Sequence, residues 1–284
     1  MQETKLKIMD WNIHGAASVG WNNGYTIKKF IVDRIIAEKS DIVIINEFII
    51  SKGWDYFQEK LIEFGYIWFM TNTSTDNGVL IAVKKESLDM DLVNEVLYKS
   101  EMVTTKMMTT QSDKPNFLQV KLNINNKELY VIGTRIRVLI DKNATEEQIS
   151  TFKINQLQAL KEHMDKVPSS VAIVCGGDFN VWQSTIKKEL GTNYSVSTPR
   201  YSMSVWQDYS TLDTWSAVPY CNGNKQLFDH YISRGIKELK NVNYDGWSFV
   251  NTSANEYQNR SKADYKSDLI GCPDHDILTA DIEL

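Results

Sequence analysis

The chain has 284 residues, 42% of them hydrophobic and 24% charged, and a net charge of −5. Such proportions suit a globular protein with a large core, and no apolar run approaches the roughly 20 residues needed to span a bilayer. The negative balance excludes tight nonspecific DNA binding through an overall basic surface, although it allows a local basic face.

In chain order, Met1-Gln2-Glu3-Thr4-Lys5 runs directly into a strand-like segment, without the apolar stretch of a signal peptide. Leu6 to Ile13 alternates like a strand. Tyr25 to Glu38 puts Ile27, Phe30, Ile31, Ile35 and Ile36 at helical spacing, and Asp41 to Ile45 reads as a buried strand ending on Asn46-Glu47. A second helix is predicted over Asp55 to Phe64. Strands are predicted over Val79 to Val83, Phe117 to Ile124 and Leu129 to Val138, the last two joined by a tight Asn125-Asn126 turn. Thr145-Glu146-Glu147 opens a helix to about Met164, with Ile149, Phe152, Leu157 and Leu160 on one face. Val171 to Val174 is a short apolar strand stopped by Gly176-Gly177. Strands near Phe228 to Ser233 and Ile277 to Glu283 finish the chain. Without repeat, linker or low-complexity tract, residues 1–284 read as one domain. Cys175, Cys221 and Cys272 are odd in number and lack CxxC spacing, so free thiols and a cytoplasmic location are expected.

Four polar clusters fall at predicted strand ends, where layered α/β enzymes place their sites. In Gly176-Gly177-Asp178-Phe179-Asn180, glycines allow a sharp turn with positive φ, and Asp178 and Asn180 can share a cleft suited to a hard cation and water. An ordinary Gly-Asp turn with an Asx bond is the plain alternative. Pro273-Asp274-His275-Asp276 precedes the last strand, and an ordinary loop explains it equally well. Asp229, followed by His230 and flanked by Leu227, Phe228 and Tyr231, is an acid in an apolar strand that needs a partner, such as a histidine from another strand. Trp11-Asn12-Ile13-His14 ends one strand on an amide, and Ile45-Asn46-Glu47 ends the next on a carboxylate. A strand-end cap and a surface acid are the simpler readings of these two.

The order of these signals carries more than any one of them. Met9-Asp10-Trp11-Asn12-Ile13, Ile45-Asn46-Glu47, Gly177-Asp178-Phe179-Asn180, Phe228-Asp229-His230-Tyr231 and Asp274-His275 together resemble the endonuclease/exonuclease/phosphatase (DNase I-like) superfamily, over nearly the whole chain. The resemblance implies an α/β fold: a four-layer α/β/β/α sandwich of two face-to-face sheets with outer helices and a site at one rim. It implies a metal-dependent phosphoesterase holding Mg²⁺ (or Mn²⁺) near Glu47, Asn12 and Asp274, since an oxygen-only, partly hydrated site suits these ions better than zinc. It also implies that Asp178 orients or deprotonates the attacking water, that Asn180 holds the phosphate, and that His275, paired with Asp229, stabilises charge or moves a proton.

The sequence departs from that pattern at two points. Where many members carry Thr-His, this chain reads Thr134-Arg135-Ile136-Arg137. Strand alternation would put Arg135 and Arg137 on one face as phosphate clamps, but an arginine cannot protonate a leaving group. His14 stands where the AP-endonuclease branch has an acid, which disfavours that branch and leaves His14 as either a phosphate contact or a histidine supporting its neighbours. The implied substrate is a nucleic acid or nucleotide phosphate, with Trp21, Trp54, Trp182, Trp206 and Trp215 as candidates for base stacking, against the plainer reading of core or rim packing. The alternatives are a phosphatase or phosphodiesterase for a small or lipid phosphate, and a non-catalytic binding module. No obligate protein partner is evident. Residues 84–115 and 184–220, where substrate recognition varies within the superfamily, are too irregular to interpret.

Overall fold

Period-two alternation sends the side chains of the first strand two ways, and that split organises the molecule. The computed structural model describes residues 4–13, 25–48, 54–71, 78–88, 94–99, 115–139, 143–199, 228–236, 239–245, 275 and 277–284, with backbone alone at 25–30, 54, 94–99 and 245. Its strands are β1 (Lys5–Asn12), β2 (Ile42–Phe48), β3 (Tyr66–Met70), β4 (Gly78–Lys84), β5 (Asn94–Lys99) and β6 (Asn116–Ile124). They continue as β7 (Lys127–Arg135), β8 (Ala172–Asp178), β9 (Ser195–Ser197), β10 (Asp229–Arg234), β11 (Leu239–Asp245) and β12 (Ile277–Glu283). The helices of four turns or fewer and one of 20 residues are α1 (Tyr25–Glu38), α2 (Trp54–Glu63), α3 (Glu146–Asp165) and α4 (Gln183–Leu190).

Two six-stranded sheets form, in the orders β11-β12-β1-β2-β4-β3 and β5-β6-β7-β8-β10-β9. Leu6 and Ile8 of β1 meet Ile42, Ile44, Leu118, Val131 and Val174 in a core between the sheets. Met9, Trp11 and Ile13 turn the other way and pack with Ile31, Ile35, Phe57 and Leu61 of α1 and α2. The second sheet mirrors this, with Ile132, Ile173 and Cys175 meeting Leu157, Leu160, Met164 and Ile186 of α3 and α4. The result is the expected α/β/β/α sandwich.

Each sheet has a parallel pair at its centre, β1–β2 and β7–β8, and every other pairing is antiparallel. A parallel pair needs a crossover, and α1 and α3 supply them. The carboxyl ends of all four parallel strands then lie at one rim: Asn12, Glu47, Arg135 and Asp178 stand at or beside them.

Local chemistry explains most boundaries. Asn125 and Asn126 both adopt left-handed backbone, φ 50° and 63°, which a two-residue β6–β7 hairpin requires and asparagine tolerates. Thr145 caps α3 in a reciprocal capping box with Gln148. Ile149 is only half-buried, and Gln156 takes a buried place on α3 that the apolar pattern did not assign. Two strand limits need correction. Gly176 and Gly177 continue β8 to Asp178 rather than stopping it, and neither has positive φ. β7 ends at Arg135, short of the expected Val138. Among the described residues no helix is long and apolar enough to cross a membrane.

Candidate active site

Register sets the floor of the site. Across β7, β8 and β10, Arg135, Asp178 and Asp229 are paired directly side by side. Two carboxylates in adjacent cross-strand positions repel, so such a row is destabilising unless charge of the other sign meets it. From the facing sheet come Asn12, at the end of β1, and Glu47, in a bulge of β2 where the pairing with β4 slips between Asn46 and Phe48. Glu47 sits at φ 58°, a left-handed backbone that a glutamate occupies only when its surroundings impose it. The bulge re-aims its side chain toward the facing sheet.

The Asn12 amide joins these groups. Its Nδ2 donates to Glu47 Oε1 (3.2 Å) and Asp178 Oδ2 (3.1 Å), and lies 3.4 Å from His275 Nε2. His275 Nδ1 is 2.9 Å from Asp229 Oδ2, so the imidazole from before β12 is the partner that buried Asp229 requires. With the proton assigned to Nδ1 by this pairing, Nε2 is left as the proton-accepting nitrogen. Buried Trp11 donates from Nε1 to the His275 carbonyl (2.9 Å), and the Tyr244 hydroxyl donates to the Asp229 carbonyl. Both bonds fix the backbone that carries this pair.

Asn180 makes the turn after β8 that was expected of the glycines: its φ is 50°. Its backbone N–H donates to Asp178 Oδ1 (3.0 Å) and its amide donates to Asp178 Oδ2 (2.8 Å) and the Ile136 carbonyl (2.9 Å). With two bonds from Asn180 and one from the Asn12 amide, Asp178 is held in a single orientation. Arg135 reaches across the cleft to Glu47 Oε1 at 2.7 Å, and its Nε is 3.9 Å from Asp178 Oδ2.

Burial pushes the Asp178 carboxyl up to about 6, with the negative charges of Asp229 and Glu47 adding to the rise against His275 and Arg135. The donors here are carboxylate and amide oxygens, a set that fits a hard divalent cation. Glu47 and Asn12 offer it oxygens, and Asp178, Asp229 and His275 can bring ligand atoms within 4.8 Å of one another. Because Asp229 Oδ2 is already engaged with His275, that last trio is better placed for proton movement than for coordination.

Sequence reasoning did not single out the pair beneath the site. Asp10, wholly buried two residues before Asn12, accepts from Asn46 Nδ2 at 2.7 Å, while Asp10 Oδ2 and Asn46 Oδ1 have no partner among the described residues. Burial, then the Asp229 and Asp178 charges, pushes the Asp10 carboxyl far above the carboxylate range. The signal was available: alternation puts Asp10 on the inner face with Leu6 and Ile8. Lys153, on α3, was also missed. It donates to the Asn180 carbonyl at 2.8 Å.

Of the expected site residues, Asn12, Glu47, Asp178, Asn180, Asp229, His275 and Arg135 come together. Arg137 does not share a strand face with Arg135, because β7 ends first; its backbone N–H and carbonyl are instead clasped by the Gln156 amide, each at 2.9 Å. His230 points away from the site, held between Thr198 Oγ1 (2.6 Å) and the Val181 carbonyl (3.1 Å). Asp274 and His14 lie outside the described residues, as do Cys221, Cys272, Trp21, Trp206 and Trp215. Cys175 is a buried free thiol.

The raised carboxyls have a consequence for stability. An acid whose folded pKa is raised stabilises the fold fully below its unfolded value, near 3.8, and that contribution is lost as pH rises through about 6 for Asp178. In EDTA, the stability of Asp178→Asn relative to wild type should therefore be more favourable at pH 7.5 than at pH 4, by on the order of 1–3 kcal/mol. A pH-independent difference, measured by thermal melts at both pH values, would refute the burial-raised carboxyl at Asp178.

No protein-family model matches the sequence, and no curated protein matches it. The fold, however, has clear counterparts among solved structures. An endonuclease/exonuclease/phosphatase from Bacteroides vulgatus superposes with a TM-score of 0.67 at 13% identity, over 99% of both chains. TDP2 of D. rerio, solved with a single-strand DNA product, gives 0.65 at 15% identity, over 99% of this chain and 100% of that one. The human Nocturnin catalytic domain with bound sulfate gives 0.62 at 14%, over 99% and 96%. Their shared architecture and the two stacked sheets described above establish that this chain has the endonuclease/exonuclease/phosphatase, or DNase I-like, fold.

Proposed function

We propose that the chain is a divalent-cation-dependent phosphoester hydrolase that cleaves phosphodiester bonds in DNA or RNA. The observation that carries this reading is the meeting of Asn12, Glu47, Asp178, Asn180 and the Asp229–His275 pair at one rim, contributed by both sheets. A hydrophobic core alone has no use for so many buried polar groups in one place. Among proteins of this fold, TDP2 of D. rerio was solved with a DNA product and human Nocturnin with sulfate, which supports a phosphate-binding rim.

Glu47 and Asn12 would hold a Mg²⁺ or Mn²⁺ ion, with Asp274 as the further ligand that the resemblance implies. When bound, the ion supplies positive charge against a phosphate oxygen. Asp178, fixed by Asn12 and Asn180 and raised to about 6, accepts a proton from the attacking water near neutral pH. Asn180 orients Asp178 in this structure, and contact with a phosphate would exchange one of its two amide bonds. His275, kept in one tautomer by Asp229, offers Nε2 to the phosphoryl group for charge stabilisation or proton transfer. Arg135 can leave Glu47 for a phosphate oxygen but cannot serve as an acid. His14, which lies outside the described residues, is the further proposed phosphate contact.

The reading is tested with supercoiled plasmid, single-stranded DNA, RNA and bis-p-nitrophenyl phosphate, each in Mg²⁺, Mn²⁺ or EDTA. The expected result is polymer cleavage that requires the cation and is lost in Glu47→Gln. Hydrolysis of the small diester without polymer cleavage would identify a small-molecule phosphoesterase instead. Silence on every substrate would leave a binding module.

A further inference from the structure

Of the five tryptophans named above, Trp182 is the one whose side chain the structure describes, and 49% of it is exposed. A bare indole on a surface is a common packing remnant. This one is different because of where it is and how firmly it is presented. It lies two residues after Asn180, at the residue that precedes α4. The intervening backbone is pinned twice: Lys153 donates to the Asn180 carbonyl at 2.8 Å, and the His230 ring bonds the Val181 carbonyl at 3.1 Å. The indole also meets the Phe228 ring edge-on, with centroids 6.0 Å apart. Phe228 immediately precedes Asp229 and so belongs to the same rim. The Lys153 ammonium sits 5.9 Å over the Phe228 ring, placing a cation beside the aromatic pair.

An exposed aromatic face with a fixed backbone, a neighbouring cation and a hydrolytic centre a few residues away matches the needs of one occupant. A nucleobase stacks on an indole at little ordering cost, and its phosphate is drawn to an ammonium. Duplex bases are already stacked on each other, so the platform suits an unpaired base. We propose that Trp182 stacks the nucleobase adjacent to the scissile phosphate, with Lys153 holding the neighbouring phosphate, so that the site prefers single-stranded nucleic acid to small diesters. The proposal rests on the nuclease reading above and narrows its substrate.

The test compares kcat/KM of wild type, Trp182→Ala and Trp182→Phe on an oligothymidylate and on a strand of equal length in which the bases are replaced by abasic residues. The expected result is a loss of about 10-fold for Trp182→Ala on the oligothymidylate, carried mainly by KM, with Trp182→Phe retaining most of the wild-type value. On the abasic strand the loss should disappear. Equal losses on both strands, or none on the oligothymidylate, would overturn the stacking role while leaving the nuclease reading standing. If wild type cleaves neither strand yet hydrolyses a small phosphoester, the nuclease reading itself fails, and this proposal with it.

Discussion

Glu47→Gln is expected to reduce turnover by roughly 10³-fold at saturating Mg²⁺ while leaving the fold intact, a loss of the size seen when one preorganised charge-stabilising group is removed. Glutamine preserves volume and can still accept from Asn12, so the change isolates charge. Contacts of that charge include Asn12 Nδ2 at 3.2 Å and Arg135 at 2.7 Å. In the variant Arg135 keeps only a neutral acceptor, and a cation loses the carboxylate that faces it from the β2 bulge. Circular dichroism melts should shift little, because the left-handed backbone at residue 47 is imposed by the bulge rather than by the carboxylate. Steady-state rates titrated with Mg²⁺ decide the matter. A variant with wild-type turnover and wild-type Mg²⁺ dependence would remove Glu47 from the cation site.

The parts of this site that sequence made legible are those fixed by local rules. Asp229 was readable because an acid inside an apolar strand must find a partner, and His275 is that partner. Asn12 and Glu47 were readable as polar ends of apolar strands, and the parallel pairing explains why both arrive at one rim. The Asn125-Asn126 turn needed only the tolerance of asparagine for positive φ.

What sequence did not yield depends on packing between sheets. Asp10 looks like any polar residue in an alternating strand until Asp178 and Asp229 appear opposite it on the other sheet. Arg137 was assigned to a strand face because alternation assumes that the strand continues. In the structure Gln156 takes up the Arg137 N–H and carbonyl that a longer β7 would have offered to a neighbour. Lys153 lay in a plausible helix pattern, and only the fold brings it to Asn180. The glycines of Gly176-Gly177 were taken for a turn, since glycine in sequence signals freedom of φ. Here their use is steric: a Cβ on Gly176 would come 2.8 Å from the Tyr231 ring and 3.0 Å from the Ile44 side chain.

Gly177→Ala is expected to be the most damaging single-methyl change in the described core. A Cβ at that position would lie 1.9 Å from the Thr134 carbonyl oxygen and 2.8 Å from its carbon, and backbone cannot rotate aside as a side chain can. Gly177 and Thr134 are register partners in the parallel β7–β8 pair, so relief requires the two central strands to separate. Overpacking of this kind costs roughly 3 kcal/mol, a large fraction of a typical domain's stability. The next residue is Asp178, and Arg135 follows Thr134, so the same displacement pulls apart two neighbours in the site row. Turnover should fall along with the melting temperature. Gly176→Ala is the informative comparison, because its nearest obstacles are side-chain atoms of Tyr231 and Ile44 that can move by tenths of an ångström. It should lose less stability than Gly177→Ala and retain more activity. If Gly177→Ala melts within a degree or two of wild type, β7 and β8 have more room than this geometry allows. The tight strand pairing would then not be what positions Asp178.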